Sequence, residues 1–369
     1  MRVMNELTLA VAGGGKTQSI IDACGGRDRP CPERTLAITY TRTGQRELTT
    51  RLRRAFPRAV PPAVTGWYAF LQRHFVRPYL PRLYEGERLR GFNFDGDPGR
   101  FARGRARFLD RAGCAYRLHL AKLAHTVLEA ADEAPIDRLE RTYTHIFVDE
   151  VQDLVGWDLE VLDRLLKSRV HVQVVGDLRQ SILETNPHDA KNKQYRGVEM
   201  LKWFQAREGR TLTIRHQTET HRCNQAIADL ADSVFGEKYG FKQTKSLQTI
   251  KTGHDGVFAV QPGHVPQYVD SFAPHCLRHS LASAKNYPLD FRNFGEAKGL
   301  TFDRVLIVPT KPIEKFLVAG QELAGRSACA FYVGVTRAKH SVALVLSSTA
   351  ASKAGIQMWT PDSSSDQST

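Results

Sequence analysis

LTLAVAGGGKTQSII, the stretch from Leu7 to Ile21, decides the fold of this chain. An apolar run ends in consecutive glycines, and a Lys-Thr pair then opens a segment that can continue as a helix. A strand, a glycine turn and a helix start together bind phosphate. Glycine lets the backbone approach the ligand, and the first helical N–H groups point at it. The pattern therefore predicts a polyphosphate site at the end of a buried strand.

Each residue of this loop has an expected role. Lys16 would reach the β- and γ-phosphates as a point charge, and Thr17 would offer its hydroxyl to Mg²⁺. The predicted nucleotide contacts are Ala12, Gly13, Gly14, Gly15, Lys16, Thr17 and Gln18. The full pattern begins with a glycine where this chain has Ala10. A glycine-rich turn with a chance Lys-Thr pair is therefore the structural alternative.

Length and composition describe an ordinary globular chain. Its 369 residues suggest about two domains. Hydrophobic residues make up 41% and charged residues 25% of the sequence, and no apolar run approaches the ~18 residues that a membrane span needs. The N-terminal apolar run predicts a core strand and not a signal peptide. We expect a soluble protein of the cytoplasm or nucleoid.

Cysteine usage and charge narrow the choice of partner. The 6 cysteines include no Cys-x-x-Cys pair, so neither a disulfide framework nor a zinc site is indicated. The formal net charge of +13 points to a polyanionic partner, most often nucleic acid. A basic protein that has no such partner is the alternative.

Strand-like runs alternate with helical stretches, among them an amphipathic helix from Trp157 to Lys167. This alternation predicts a parallel sheet with helices on both faces, and the ligand of such a sheet lies beyond the carboxyl ends of its strands. One strand, THIFVDE, ends in Asp149 and Glu150. Asp149 would hold the metal and Glu150 would take the proton of the attacking water. The alternative is an acidic pair at a helix N-terminus.

Aromatic and basic residues mix in TGWYAFLQRHFVRPY, from Thr65 to Tyr79. Trp67 and Tyr68 are candidates to stack on unpaired bases, while Arg73 and Arg77 would meet phosphates. The alternative is that most of these aromatic residues belong to the core.

The segment VDEVQDL, from Val148 to Leu154, resembles the second motif of the superfamily 1A helicases, the UvrD/Rep/PcrA-like group. The resemblance recurs in the right order from Leu7 to about Leu346. The similar segments are AVAGGGKT (Ala10–Thr17), TLAITYTRTGQREL (Thr35–Leu48), VVGDLRQSI (Val174–Ile182), THRCNQAI (Thr220–Ile227), NFGEAKGLTFDRVLI (Asn293–Ile307) and FYVGVTRAKH (Phe331–His340). Each segment is weak by itself, but the ordered set is highly specific.

The resemblance implies roles for further residues. Gln180 would sense the γ-phosphate and couple it to DNA, Arg222 would contact the γ-phosphate, and Arg337 would stabilise the transferring phosphoryl group. The implied single-strand contacts are Thr39, Tyr40, Thr41 and Arg42. The implied activity is an ATP- and Mg²⁺-dependent translocase or helicase on single-stranded DNA. It would move 3′ to 5′ by coupling ATP hydrolysis between two motor lobes.

The chain also departs from the family pattern. His221 stands where the family has a tyrosine that stacks on the nucleotide base, and Thr301 replaces a glutamate. Leu183 and Thr185 stand where a tyrosine and a tryptophan stack on DNA. The residues before Leu7 are too few for the segment that reads adenine. The single-strand track is therefore expected to be altered, or rebuilt from residues such as Trp67 or Tyr68.

The expected architecture is α/β, with two RecA-like P-loop NTPase lobes, each a mostly parallel sheet flanked by helices. The first lobe would span residues 1–182, with a short helical insertion at about 84–142. The second would span 183–350 and begin with a strand at 211–216. A disordered tail would follow at 351–369.

Two other functions stay open at this point. One is a nucleic-acid-dependent ATPase that remodels protein–DNA or RNA complexes without processive unwinding. The other is a binding protein with a decayed active site, against which the intact Lys16, Asp149 and Glu150 argue. RNA also stays open as the track, since nothing in the sequence reads the 2′-hydroxyl.

Overall fold

The structure is a computed structural model that describes residues 4–25 and 31–361. Its described residues form two compact units. The first unit contains the chain up to Leu9, Lys16–Leu178 and Glu184–His216. The second unit contains Ala10–Gly15, Arg179–Leu183 and the chain from Gln217 onward. Each unit is built on a six-stranded sheet, and the predicted α/β class is therefore confirmed.

The sheet of the first unit has the strand order β3-β2-β6-β7-β1-β8. The strands met along this part of the chain are β1 (Asn5–Ala10), β2 (Thr35–Thr39), β3 (Ala63–Gly66), β4 (Gly91–Asn93), β5 (Cys114–Tyr116), β6 (His145–Val148), β7 (His171–Gly176) and β8 (Leu212–Gln217). The pairs β3–β2, β2–β6, β6–β7 and β7–β1 are parallel. All five residues of β2 are buried, as expected for a parallel strand covered on both faces.

Helices cover this sheet and extend from it. They are α1 (Lys16–Gly25), α2 (Arg42–Ala55), α3 (Trp67–Phe70), α4 (Arg77–Leu83), α5 (Arg105–Phe108), α6 (Leu120–Ala130), α7 (Ala134–Thr142), α8 (Trp157–Lys167) and α9 (Met200–Gln205). A π-helical segment, Leu71–Val76, joins α3 to α4. Ile20 of α1 and Leu52 of α2 pack with Phe147 of β6 in one apolar cluster. This packing holds α1, and with it Lys16, against the sheet.

The predicted insertion at 84–142 is not purely helical. It contains α5, α6 and α7, and also the parallel pair β4–β5. The Asp110 carboxylate accepts hydrogen bonds from the backbone N–H groups of Ala112 and Cys114, both at 2.9 Å. This local turn leads into β5. The sequence has no long periodic pattern that predicts this strand.

The second unit has the strand order β13-β12-β14-β15-β11-β16, with parallel pairing throughout. Its strands are β9 (Glu219–Thr220), β10 (Lys245–Ser246), β11 (Gly256–Val260), β12 (His275–Arg278), β13 (Phe291–Asn293), β14 (Phe302–Ile307), β15 (Ala338–Val345) and β16 (Gln357–Trp359). Its helices are α10 (Gln225–Ser233), α11 (Val265–Phe272), α12 (Lys311–Ala319), α13 (Gly325–Val335) and α14 (Ser348–Ala354). Across the described ranges of both units, no helix has the length and apolarity to cross a membrane.

Two expectations about the course of the chain need correction. The strand that we expect to begin the second lobe is β8, and it lies in the first sheet beside β1. The predicted disordered tail begins too early, because α14 and β16 occupy much of 348–359. β16 pairs with β11, and the ring of Trp359 lies 5.1 Å from that of Tyr268. Residues 362–369 of the predicted tail lie outside the described residues.

A buried histidine in the second unit makes stability depend on pH. The ring of His254 stacks between Phe258 and Phe272, at centroid distances of 4.0 and 3.8 Å. Its Nε2 lies 2.8 Å from the hydroxyl of Tyr268. Burial lowers the pKa of His254 to about 4, and the charge of Arg304 adds to the effect. In the first unit burial likewise lowers the pKa of His74 to about 4.

We expect the free energy of unfolding to fall as the pH is lowered from about 6.5 toward 4. Unfolded histidine binds a proton near pH 6.5, so in this window the unfolded state holds more protons and is favoured. His254→Phe keeps an aromatic ring in the stack and should flatten the fall in melting temperature over this window. The exposed His279 gives a control, His279→Phe, that should leave the fall as it is. An unchanged slope in His254→Phe would contradict the assignment.

Candidate active site

The strand order places Lys16, Asp149 and Glu150 along one edge of the first sheet. β7 lies between β1 and β6, and the carboxyl ends of these parallel strands therefore meet at the same edge. β1 leads into the glycine loop and Lys16, while β6 leads directly into Asp149. Two inter-strand spacings separate β1 from β6, which is roughly 10 Å. A nucleotide phosphate and its metal ion fit in such a span.

The glycine loop needs its glycines. Gly13 and Gly15 have φ values of +75° and +77°, a left-handed conformation that residues with a Cβ rarely adopt. Lys16 then begins α1, so the loop ends on the first turn of a helix. Lys16 and Thr17 are half-buried in that turn, while Gln18 is exposed. The conformation is the one predicted for a phosphate-binding loop.

Within the second unit, two side chains hold the start of this loop. The backbone N–H of Ala12 donates to the Tyr332 hydroxyl at 3.3 Å, and its carbonyl accepts from the Thr220 hydroxyl at 2.7 Å. A Cβ at Gly13 would come within 2.7 Å of the same Thr220 oxygen. Glycine is therefore required at residue 13 for two reasons: the Thr220 side chain leaves no space for a Cβ, and the backbone φ is positive.

The next loop residues are held by the strand-to-helix segment that contains β9. The Gly14 carbonyl accepts a hydrogen bond from the Gln217 side-chain amide. The His221 backbone N–H donates to the Gly13 carbonyl at 3.1 Å, while the His221 side chain is exposed. The loop carbonyls therefore have fixed partners, and the exposed imidazole is free to contact a nucleotide base.

Asp149 is a buried carboxyl group at the carboxyl end of β6. It is 7% exposed, and its carboxylate accepts the backbone N–H of Glu150 at 2.9 Å. Burial and the negative charge of Glu150 raise the pKa of Asp149 to about 7, against the opposing positive charge of Lys16. Two adjacent acidic side chains in a partly buried environment favour a cation beside them, because it stabilises their ionised forms.

Glu150 has an unusual backbone conformation. Its φ is +57°, in the left-handed region that a non-glycine residue rarely adopts. The side-chain amide of Gln152 donates to the Glu150 carboxylate, and its oxygen accepts the Asp177 N–H at 3.2 Å. Such strained residues cluster at functional sites, where the surrounding contacts enforce them. The strain at Glu150 agrees with its predicted role as the base.

The oxygen ligands present fit a magnesium ion. Asp149 offers a carboxylate and Thr17 a hydroxyl, both hard oxygen ligands of the kind that Mg²⁺ prefers. In the described part of the chain, no group of three or more His, Cys, Asp or Glu residues is placed to hold a metal ion. An ion here would therefore also draw on nucleotide phosphates and water, as Mg²⁺ commonly does.

Three of the predicted γ-phosphate contacts come together in the second unit. Arg337 is 1% exposed, and its Nη2 donates to Gln180 Oε1 at 3.1 Å. Arg222 Nη1 donates to the carbonyl of Thr336 at 3.0 Å, next to Arg337 in the chain. The other partners of the Arg337 guanidinium are Val333 O at 3.0 Å, Leu300 O at 3.2 Å and Thr336 Oγ1 at 3.2 Å. The planar group is thus fully oriented by the protein.

Trp67 is not available to stack on a nucleic acid base. Its ring is 1% exposed, and its Nε1 donates to Asp158 Oδ1 at 2.5 Å. Asp158 is itself buried and also accepts from the Thr185 hydroxyl. The ring lies inside the first unit because α3 packs it against α8, and the prediction for Trp67 is wrong. Thr39 is likewise 1% exposed, within β2.

The remaining predicted single-strand contacts differ in their accessibility. Tyr40 and Tyr68 are half-buried and pack edge to face at 5.8 Å. The Tyr68 hydroxyl donates to the Thr185 carbonyl at 2.8 Å, so this polar tip is already used. Thr41 caps α2, and Arg42 is exposed. Arg42 and the exposed edge of Tyr40 stay predicted contacts.

Sequence reasoning missed several side chains that shape this site. Tyr332 and Thr220 hold the phosphate loop, yet both lie inside quoted motif segments without an assigned role. Gln152 links Glu150 to the end of β7. The position of Tyr332 within its motif was the available signal, but its partner is some 320 residues away in the chain.

Comparison with known proteins supports the resemblance. A family model described as the UvrD/REP helicase N-terminal domain matches residues 103–193, which include Asp149, Glu150 and Gln180. The matched segment is UvrD-like. A solved structure described as the PRRSV helicase is 14% identical over 92% of this chain, with a TM-score of 0.45. The chain spans 52% of that structure's length. A comparison with curated proteins gave no match.

The UvrD-like match is confined to residues 103–193, and the two parallel α/β sheets agree with the fold that the resemblance implies. They agree with the predicted resemblance to the UvrD/Rep/PcrA-like group.

Proposed function

We propose that this chain is an ATP hydrolase that moves along single-stranded DNA in the 3′ to 5′ direction, as a translocase or helicase. One observation carries the proposal most directly. The glycine loop runs into Lys16 at the start of α1, and Asp149 and Glu150 follow β6 at the same sheet edge. The direction of movement rests on the resemblance to the superfamily 1A helicases.

The first unit supplies the groups for hydrolysis. Lys16 would bind the β- and γ-phosphates, and Thr17 and Asp149 would hold Mg²⁺, which would neutralise charge on the phosphates. Glu150 accepts the proton of the attacking water. Its carboxylate is oriented by the amide of Gln152, so the base is held before substrate binds.

The second unit supplies positive charge and a sensor. Arg222 and Arg337 neutralise charge that develops on the γ-phosphoryl group. Gln180 is hydrogen-bonded to Arg337 and follows β7 in the chain. When the negative charge facing Arg337 changes, its hydrogen bond to Gln180 changes as well. This change couples the nucleotide state to the segment after β7.

The direct test is ATP hydrolysis with Mg²⁺, measured with no nucleic acid, with single-stranded DNA and with single-stranded RNA. We expect strong stimulation by single-stranded DNA. Stimulation by RNA alone would reassign the track, and hydrolysis that no nucleic acid changes would contradict a motor. A labelled duplex with a 3′ or a 5′ overhang then tests unwinding and its direction.

The positive charge of the chain should act through phosphates. We expect the logarithm of single-strand affinity to fall linearly with the logarithm of salt concentration, by roughly 0.7 per phosphate contacted. The net charge is +13, and Arg42, Arg73 and Arg77 are exposed. Fluorescence anisotropy over a salt series measures the slope.

Single variants sharpen this salt test. Arg42→Ala and Arg77→Ala should each make the slope shallower by about 0.7, since each removes one phosphate contact. The exposed Arg326 of α13 provides a matched control, Arg326→Ala, that should keep the wild-type slope. An affinity that stays flat between low and physiological salt would count against an electrostatic track.

A further inference from the structure

A pocket with a volume of about 690 Å³ lies in the first unit. Its walls come from the segment before α5, the start of α6, the start of α8 and the loop that follows Thr185. The lining side chains with chemistry to offer include Asp97, Arg107, His119, Lys122, Trp157 and Lys191. The volume is in the range of small-molecule sites. None of these residues has a role in the proposed hydrolysis.

Trp157 gives this pocket an aromatic surface. It is the first residue of α8 and is half-buried, unlike the fully buried Trp67. The ammonium groups of Lys122 and Lys191 lie over its ring, at 5.4 and 5.1 Å from the centroid. The ring of His125 supports it at 5.0 Å. The indole lines the pocket, and Lys191 also pairs with Glu160 Oε1 at 3.3 Å. An aromatic ring with cations beside it matches a base with its neighbouring phosphates.

The wall that carries Lys191 is fixed to α8. The Asn192 side-chain amide donates to the Gly156 carbonyl at 2.9 Å and to Glu160 Oε1 at 2.8 Å. Gly156 has a φ of +62°, and a Cβ there would collide with the Asp189 carboxylate. The pocket is therefore largely formed before any ligand binds, which lowers the entropy cost of binding.

The pocket is lined by both cations and carboxylates. Burial lowers the pKa of His119, and the charges of Arg107 and Lys122 lower it further, which places both cations close to that ring. Asp97 and Asp189 act in the opposite sense. Amino groups of bases, or ribose hydroxyls, are suitable donors to such carboxylates. Cations and acceptors around one aromatic ring favour a nucleotide over a purely acidic partner.

We propose that this pocket binds one nucleotide of the single strand, with its base stacked on Trp157 and its phosphates on Lys122 and Lys191. The proposal rests on the proposed nucleic-acid motor and deepens it, because it names the stacking residue of the track. Trp157 takes the part that the sequence pattern gives to Trp67. Most of the pocket lies inside the UvrD-like segment, residues 103–193.

Affinity for a single-stranded oligonucleotide tests the stacking. Trp157→Ala should weaken binding by about 5- to 150-fold, the range expected for one stacked base. Trp157→Phe should keep most of the affinity, because a smaller aromatic ring still stacks. The hydrolysis rate measured without nucleic acid should stay unchanged in both variants. If Trp157→Ala fails to fold, Trp157→Phe and the lysine variants below still decide the question.

Tryptophan fluorescence distinguishes a stacking role of Trp157 from a merely structural one. The chain has 4 tryptophans, and a base stacked on Trp157 should quench its emission. The quenching should disappear in Trp157→Phe and persist in Trp359→Phe, whose ring packs against Tyr268 in the second unit. Quenching that survives in Trp157→Phe would overturn the assignment.

Charge variants and abasic oligonucleotides separate a base from a mere polyanion. Lys122→Glu and Lys191→Glu should weaken binding more than Lys353→Glu, an identical charge change on the exposed face of α14. Abasic DNA should bind wild type and Trp157→Ala alike, since only its phosphates remain. Equal losses with intact and abasic strands would show a polyanion site without base stacking and overturn the proposal.

The two proposals fail in different ways. If wild-type protein binds no single-stranded DNA or RNA, the nucleic-acid motor itself is wrong. If wild type binds and Trp157→Ala binds equally well, only the stacking site is wrong. DNA and RNA oligonucleotides of the same sequence, tested side by side, show which strand the pocket prefers.

Discussion

Glu150→Gln should bind ATP with wild-type affinity and lose most of its hydrolysis. The substitution keeps the shape of the side chain and removes its ability to accept a proton. Loss of a general base costs about 10²- to 10⁴-fold in rate. Single-turnover hydrolysis and nucleotide affinity, measured on the same preparation, check both halves of the expectation.

The structure gives a reason to expect normal folding in this variant. The left-handed backbone at Glu150 is held by its neighbours, and glutamine accepts this conformation as well as glutamate does. The amide of Gln152 donates to one carboxylate oxygen of Glu150, and the glutamine carbonyl can accept the same bond. Removing the charge of Glu150 also removes one cause of the raised pKa of Asp149, which favours the ionised metal ligand.

Two companions make the Glu150 result specific. Lys16→Ala should lose nucleotide affinity together with hydrolysis, because the phosphate clamp is gone. Glu314→Gln changes an exposed acid on α12 and should behave as wild type in both measurements. A Glu150→Gln protein that hydrolyses at the wild-type rate would show that another group takes the proton.

The parts of the fold that follow from local chemistry could be predicted from the sequence. The run from Leu7 to Ile21 is a strand, a left-handed glycine loop and a helix, as its composition requires. The helix expected from Trp157 to Lys167 has these bounds in the structure. The strand is apolar over its full length and the helix is amphipathic over its full length. Each pattern therefore indicates the element that the structure contains.

The parts that depend on distant partners could not be predicted in this way. Trp67 lies in a basic aromatic segment that resembles a stacking surface. Its indole is nevertheless buried in the core, where it donates a hydrogen bond to Asp158, 91 residues away. In the sequence Trp157 is only the start of a predicted helix, because the lysines over its ring come from other segments. β16 likewise depends on distant partners, because it pairs with β11 and packs Trp359 against Tyr268.

Arg337→Ala should lower stimulated turnover by about 10³- to 10⁵-fold, the effect of arginine fingers on phosphoryl transfer. The guanidinium is buried and held in one plane by four hydrogen-bond partners. Its bonds to the carbonyls of Val333 and Leu300 fix the plane of the group, so only the bond to Gln180 has to change when negative charge develops on the substrate. ATP affinity should change far less, since Lys16 and Thr17 remain.

The same burial predicts a second, separate effect. Arg337→Ala leaves Gln180 Oε1 and two backbone carbonyls without this partner and opens a cavity, so the melting temperature should fall. A purely structural arginine would show that fall alone. Arg207 provides the comparison, because it stacks on Trp203 at 3.6 Å and pairs with Asp163 at 2.8 Å in the first unit. Arg207→Ala should lose stability and keep its turnover per folded molecule.

Arg337→Lys separates charge from geometry. Lysine restores the positive charge, but its ammonium cannot reproduce a planar group that contacts Gln180 Oε1 and backbone carbonyls at once. It should therefore recover part of the stability and little of the turnover. Melting temperature, ATP affinity and turnover corrected for the folded fraction, measured on the three arginine variants, separate these effects. A folded Arg337→Ala protein with nearly normal stimulated turnover would leave Arg337 as a structural residue of the second unit and remove it from the phosphoryl-transfer step.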